Sequence, residues 1–338
     1  MTTSATATVT ASGKGIIIGL LVLLGVELYL HNDDFLHRYR SVFAVGRAAD
    51  KITHVVKMQP NIVFMGNSRV DNGIMPEVVS STLNLRRGDV FNLGIPGQDS
   101  RVLSGVVHEL ERRGALSAVQ LQCVMIGLDA TLFYPVDNLN YAVFFADRWD
   151  MAVAGEYRDL LSSVLRLWGF SPNLKGLREP ARFQDFIAAT LTDRDPWGGS
   201  VQDNLGFRAK QERLTPAQVN EVPDQEAPEA LTIRARTYLL TALDRLLARG
   251  ISVGVFFTPQ YRRSNEFEWN GPDNDTFKQL LADIQARGVA LIHVADMGTY
   301  GADLFSNPGH LNEAGARRYS TALAQAMRGS CPAISTTQ

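Results

Sequence analysis

The stretch Asn61-Ile62-Val63-Phe64-Met65-Gly66-Asn67-Ser68-Arg69-Val70 decides the fold. It is a short apolar run that ends on a glycine, followed by two polar residues at the start of a new element. The pattern recurs along the chain. Asp89 to Leu93 ends at Gly94-Ile95-Pro96-Gly97, Leu121 to Leu128 is a third strand, Ile251 to Thr258 is closed by Pro259, and Val289 to Val294 is a fifth. Helical spacing lies between them in Val102 to Arg113 and after them in Leu311 to Met327. Strands alternating with helices predict an α/β fold, a three-layer sandwich with a parallel sheet and helices on both faces. Sites in such sheets lie beyond the carboxyl ends of the strands, where the polar motifs of this chain fall.

Ser68 is the first candidate for chemistry. A glycine permits the tight turn after the strand, and a serine at a helix N-terminus sits where backbone N–H groups stabilise a developing oxyanion. Taken alone, Gly66-Asn67-Ser68 also reads as a turn with a helix cap. His310 adds weight to the chemical reading. Among six histidines it is the one set in a Gly/Pro turn at a strand-to-helix junction, Asn307-Pro308-Gly309-His310-Leu311-Asn312. A serine with a histidine in hydrogen-bond reach is the minimum for acyl transfer.

Three blocks together resemble the SGNH (GDSL-like) hydrolases and acyltransferases. Gly66-Asn67-Ser68-Arg69-Val70 resembles their first block, usually Gly-Asp-Ser. Asn92-Leu93-Gly94-Ile95-Pro96-Gly97 resembles the second, and Asn307 to Gly315 the last, Asp-x-x-His-Leu-Asn-x-x-Gly. The resemblance implies an SGNH/flavodoxin-like sheet, Ser68 as nucleophile, His310 as base, and an oxyanion hole from the N–H groups of Ser68 and Gly97. Behind an N-terminal anchor it is similar to the branch with exopolysaccharide O-acetylation and D-alanyl-transfer proteins. That branch implies a polysaccharide or lipid acyl ester as substrate and a membrane-bound acyltransferase as partner. Alternatives are a simple esterase or lysophospholipase, and a non-catalytic assembly or glycan-binding subunit.

The chain departs from the family pattern twice. In the third block, Gly127-Leu128-Asp129-Ala130, Leu128 is expected where the family's oxyanion asparagine stands, with Asn138 or Asn140 as substitutes. The acid before the histidine is replaced by Asn307, so either Asn307 or an acid such as Asp303 or Asp296 orients His310. Arg69 is assigned to substrate binding, with a surface ion pair as the alternative. Trp149, Trp168 and Trp197 are expected to pack in the core, with stacking on sugar rings as the alternative, and His293 is expected in the core as well. The sequence carries no phosphate loop, metal cluster or dinucleotide fingerprint, so no cofactor and no metal are expected.

The N-terminal run Gly15 to Leu30 carries one charge, Glu27, and no small-x-small cleavage site follows it. It reads as an uncleaved signal anchor. Lys14 before it places the N-terminus in the cytoplasm and the bulk of the chain outside. Residues 1–34 thus form a tail and anchor, and residues 35–330 an SGNH-like domain with a helical insertion at about 145–235. Phe35 to Lys57 is an amphipathic connector. Residues 331–338 are read as a disordered tail holding Cys331, and a disulfide between this tail and the core residue Cys123 is not expected, although the sequence alone leaves it open. A net charge of -2 makes nucleic acid a poor partner.

Overall fold

The computed structural model describes residues 5–32, 35, 38–39, 45–133, 145–192, 201–215, 217–218, 233–261, 275–295 and 297–335. Its centre is a five-stranded parallel sheet of β1 (Ile62–Gly66), β2 (Val90–Gly94), β3 (Cys123–Leu128), β4 (Ser252–Phe257) and β5 (Ala290–Ile292), in the order β2-β1-β3-β4-β5. β1, β2 and β3 are buried along their whole length, which is why they read as continuous apolar runs without alternation. The register pairs Ile62 with both Val90 and Cys123, so the carboxyl ends of these strands lie level.

Helices follow the strands. α1 (Ala5–Leu30) precedes the domain, α2 (Val45–Met58) leads to β1, and α3 (Ser68–Gly73) and α4 (Pro76–Thr82) lead to β2. α5 (Ser100–Arg112) follows β2. It buries Val102, Leu103, Val106, Val107 and Leu110, the spacing of one helix face, and Asp99 caps it by accepting from the Val102 N–H at 2.9 Å. After β3 come α6 (Arg148–Val153), α7 (Tyr157–Val164), α8 (Arg166–Gly169), α9 (Ser171–Gly176) and α10 (Pro180–Thr192), where the helical insertion was expected. The chain returns through α11 (Ile233–Ala248), which packs on α5 and β4. α12 (Asp275–Ala286) precedes β5. A hairpin of β6 (Phe305–Asn307) and β7 (His310–Leu311) leads into α13 (Glu313–Ala326) and the short α14 (Pro332–Ser335).

α1 is longer than the apolar run alone suggested. Its 26 residues extend about 39 Å at 1.5 Å per residue, enough for a hydrocarbon core of about 30 Å. Gly13–Leu30 has a mean hydropathy of 1.9 and is almost wholly outside the protein core. Among the described residues it is the one helix long and apolar enough to cross a membrane.

Two expectations for the tail and the core are corrected. Cys331 is buried rather than loose, and α14 follows it. Its thiol hydrogen-bonds with Cys123, and that contact and burial push the Cys123 thiol up. Both cysteines are free. His293 lies beyond the short β5 and is exposed, because the sheet edge ends at Ile292. Trp197 and the greater part of Leu214 to Pro228 lie outside the described residues.

The helix that carries Ser68 lies hard against the strand ends. A Cβ on Gly94 would collide with the backbone of Asp71 in α3, and Gly66 adopts φ +149° with Val70 packed over it. Gly94→Ala should therefore cost about 1–3 kcal/mol by overpacking. Chemical denaturation should show a lower midpoint at unchanged slope.

Candidate active site

Ser68 opens α3 one residue after its N-cap. Asn67 is that cap: its side-chain oxygen accepts from the Arg69 N–H at 2.9 Å. The far end of α3 is held by Asn92 of β2. Its amide donates to Val70 O at 2.8 Å and Ile74 O at 2.7 Å, while its oxygen accepts from the Gly94 N–H at 2.8 Å. The Ile95 N–H donates to Gly66 O at 2.7 Å, which sets the Pro96-Gly97 loop beside the start of α3. The backbone N–H groups of Ser68 and Gly97 have no acceptor among the described residues. Gly97 has φ +76°, a left-handed conformation suited to glycine.

The β6–β7 hairpin delivers His310. Asn307 pairs with His310 across a turn made by Pro308 and Gly309. The Asn307 side-chain oxygen accepts from the Gly309 N–H at 3.1 Å and lies 2.8 Å from His310 Nδ1. An atom that accepts from a backbone N–H is the carbonyl oxygen, so Nδ1 carries the proton that it also receives. Nε2 is then the unprotonated nitrogen, and it stands 2.7 Å from Ser68 Oγ. Of the candidates Asn307, Asp303 and Asp296, Asn307 is the one the described structure sets against the imidazole. Asp303 is exposed and contributes its backbone oxygen to Asn312 Nδ2 at 2.7 Å. Asp296, Asn138 and Asn140 lie outside the described residues.

The surroundings keep His310 neutral. Burial lowers its pKa to about 4, reinforced by the positive charges of Arg69 and Lys210 and opposed by Asp129 and Asp71. At neutral pH the imidazole is an unprotonated base. The same shift links pH to stability. The folded state binds fewer protons than the unfolded chain between the ordinary value of 6.5 and about 4. This contribution is therefore complete above the ordinary value and is lost as pH falls toward the folded one.

Arg69 is largely buried rather than on the surface. Its Nε is 4.0 Å from Asp129 Oδ2, and its Nη1 is buried without a hydrogen-bond partner. Leu128 does not face the site, because it closes β3 inside the core. The side chain at that strand end is Asp129, and it is fully buried. It accepts from Asn67 Nδ2 at 3.0 and 2.8 Å and from the Thr131 N–H at 2.8 Å, with Thr258 Oγ1 at 3.4 Å. Ser68 is thus braced from β3 through the N-cap of its helix.

Three further charged residues were not singled out in the sequence. Lys51 of α2 is fully buried, with Nζ donating to Asp71 Oδ1 at 2.6 Å and Gly94 O at 2.5 Å. Burial lowers its pKa to about 8, against the pull of Asp71. The helical spacing of Ala48, Lys51, Ile52 and Val55 puts this lysine on the buried face, and that was the available signal. Asp71 lies one turn after Ser68. Lys210 comes from the segment after α10, which bonds to β2 through the Asn92 N–H to Leu205 O (2.9 Å). That segment then crosses α3 through the Arg208 N–H to Asp71 O (3.0 Å). It meets α13 where the Glu313 N–H donates to Lys210 O at 2.9 Å. Among the described residues no group of three His, Cys, Asp or Glu side chains is placed to hold a metal.

Lys51→Met removes the close partner of the buried Asp71 carboxylate, leaving it the longer contact with Arg47 Nη2 at 3.7 Å, and should destabilise the protein by as much as about 3–5 kcal/mol. The double variant Lys51→Met, Asp71→Leu should recover most of that loss in the same denaturation experiment. Searched against known protein families and curated proteins, the chain matches none.

Proposed function

We propose that the protein performs acyl-ester chemistry through Ser68, His310 and Asn307, on the SGNH-type three-layer fold that its three sequence blocks resemble. The observation that carries the reading is the aligned relay Ser68 Oγ, His310 Nε2 (2.7 Å), His310 Nδ1, Asn307 Oδ1 (2.8 Å). Ser68 Oγ attacks the acyl carbon while His310 Nε2 takes the hydroxyl proton. The oxyanion is held by the N–H groups of Ser68 and Gly97. His310 returns the proton to the leaving alkoxide, and the acyl group stays on Ser68. A second hydroxyl then reverses these steps and carries the acyl group away.

The acceptor is a polysaccharide hydroxyl at the cell envelope, because an α1 anchor with its N-terminus in the cytoplasm leaves the domain on the outer side. A membrane-bound acyltransferase would supply acyl groups there. Arg69 and Lys210 flank the relay and favour an anionic donor or acceptor. No step calls on a cofactor.

The resemblance to the SGNH block pattern also accounts for Asn67. Counted from Gly127, the pattern Gly-x-Asn places its asparagine at Asp129, whereas the first block's Asp is Asn67 here. Relative to that pattern amide and carboxylate have changed places, and here the Asn67 amide donates to both Asp129 carboxylate oxygens. A carboxylate at 129 gives no oxyanion donor, and losing one such donor typically costs about 10²–10³ in rate. That cost, with Asn307 in place of an acid, favours a second reading, a non-catalytic glycan-binding or assembly subunit.

Labelling of the detergent-solubilised full chain with a fluorophosphonate separates the two. We expect labelling at Ser68 that Ser68→Ala and His310→Ala each abolish. No labelling of the wild type, with its envelope phenotype intact in Ser68→Ala, would leave the subunit reading.

Two kinetic outcomes are expected with an acetate ester. The rate should rise with pH through the region of the His310 pKa, about 4, and be level near neutrality. In Asn307→Asp, a carboxylate facing Nδ1 stabilises the imidazolium. The acid limb should move to higher pH, and the rate should rise by about tenfold or more, the reverse of the roughly 10⁴-fold loss when a triad aspartate becomes asparagine.

A further inference from the structure

The insertion helices turn their apolar side chains outward. In α7, Ser162 and Ser163 are buried while Leu161, Val164 and the adjoining Leu165 are about half exposed. In α9 it is Asn173 that is buried and Leu174 that is exposed. Trp149 and Trp168, expected to pack in the core, are 75% and 44% exposed. Past α1, every exposed large hydrophobic among the described residues lies between Trp149 and Leu191, apart from Met58 and Val119. A water-facing helix has the opposite arrangement, with its serines outside.

This surface is joined to the end of α1. Glu27 accepts from the backbone N–H groups of Arg166 and Leu167, at 2.6 and 2.9 Å, at the start of α8. Arg166 Nη1 donates to Leu30 O at 3.0 Å. Phe35 packs edge-on against Phe170, and Tyr39 stacks on Phe186 of α10 at 4.7 Å. Of the Gly13–Leu30 segment only 6% is buried, so α1 leaves the domain here and stands clear of it. If α1 spans a bilayer, the bilayer surface meets the protein at the level of Glu27 to Leu30, beside these helices.

We propose that α6–α10 form a platform that lies in the membrane interface, with the apolar faces of α7 and α10 and the Trp168 ring in the headgroup–acyl boundary. The occupant is lipid. A face continuous with the exit point of a membrane helix meets lipid before any other partner, and inverted amphipathic helices with aromatic side chains are the form that interface selects. Lys175 and Arg178 in and after α9 suit anionic headgroups. The proposal rests on the reading of α1 as an anchor.

The test uses the full chain in phosphatidylcholine–phosphatidylglycerol vesicles, with Trp168 kept and the other tryptophans changed to phenylalanine. Lipids brominated in the upper acyl chain should quench Trp168 emission by about half, with little quenching from lipids brominated near the chain ends. Leu161→Asp with Val164→Asp should abolish much of this quenching while fluorophosphonate labelling stays unchanged. A carbonate wash tests the anchor separately. Retention after the wash with unquenched Trp168 overturns the platform and keeps the anchor. Release by the wash overturns the anchor and, with it, the proposal as stated. Trp168 shielded from bromolipid in a crosslinkable dimer overturns lipid in favour of a second copy.

Discussion

The close approach of a short helix to the ends of three parallel strands is the constraint on which the site depends. α3 can lie there because β1, β2 and β3 each end in or near glycine, and a Cβ at Gly94 would overlap the Asp71 backbone. Contact alone would not fix such a short helix, since isolated turns are unstable. Asn92 holds its carbonyls, Asn67 caps its start, and Asp129 anchors the cap. Ser68 is therefore set on a backbone fastened from two neighbouring strands. Its position does not rely on its own side-chain contacts.

The second half of the site arrives from the other end of the chain, and it is held by different means. The hairpin that carries His310 is small, so α13 secures it. Asn312 caps α13, and Tyr319 buries its ring and donates its hydroxyl to Phe257 O at the end of β4. Ser320 accepts from the Met75 N–H at 2.8 Å and so ties α13 to the residues after α3. The same helix thus registers both halves against each other. This coupling makes a 2.7 Å Ser68–His310 contact possible between residues 242 positions apart.

Much of this was legible because the decisive signals are local. Apolar runs, the first two closed by glycine and the fourth by proline, located all five strands within a residue or two, and the Gly/Pro turn singled out His310. What sequence did not yield were contacts set by tertiary placement. Lys51 is polar by type yet stands on the buried face of α2, where its three-dimensional partners Asp71 and the Gly94 carbonyl make it tolerable. Leu128 and Asp129 are neighbours whose side chains leave a strand on opposite sides, so a one-residue misreading exchanges a core position for a site position. Trp149 and Trp168 depart from expectation for another reason: apolar character predicts burial where water is the solvent, and the proposed platform sets this face against lipid.

The electrostatics of His310 show what replacing the acid does. A triad carboxylate would offset the charge that forms on the imidazole at the moment of proton transfer. Here Asn307 supplies direction and tautomer without charge, and the nearest carboxylates, Asp129 and Asp71, act from a distance against Arg69 and Lys210. The sum leaves a base that is neutral, correctly aimed and reluctant to accept a proton. Its surroundings favour negative charge arriving with a substrate, because the same cations that disfavour the imidazolium are those an anion would neutralise. In the proposed reaction an anion bound at Arg69, whose Nη1 has no hydrogen-bond partner among the described residues, would therefore ease proton transfer to His310.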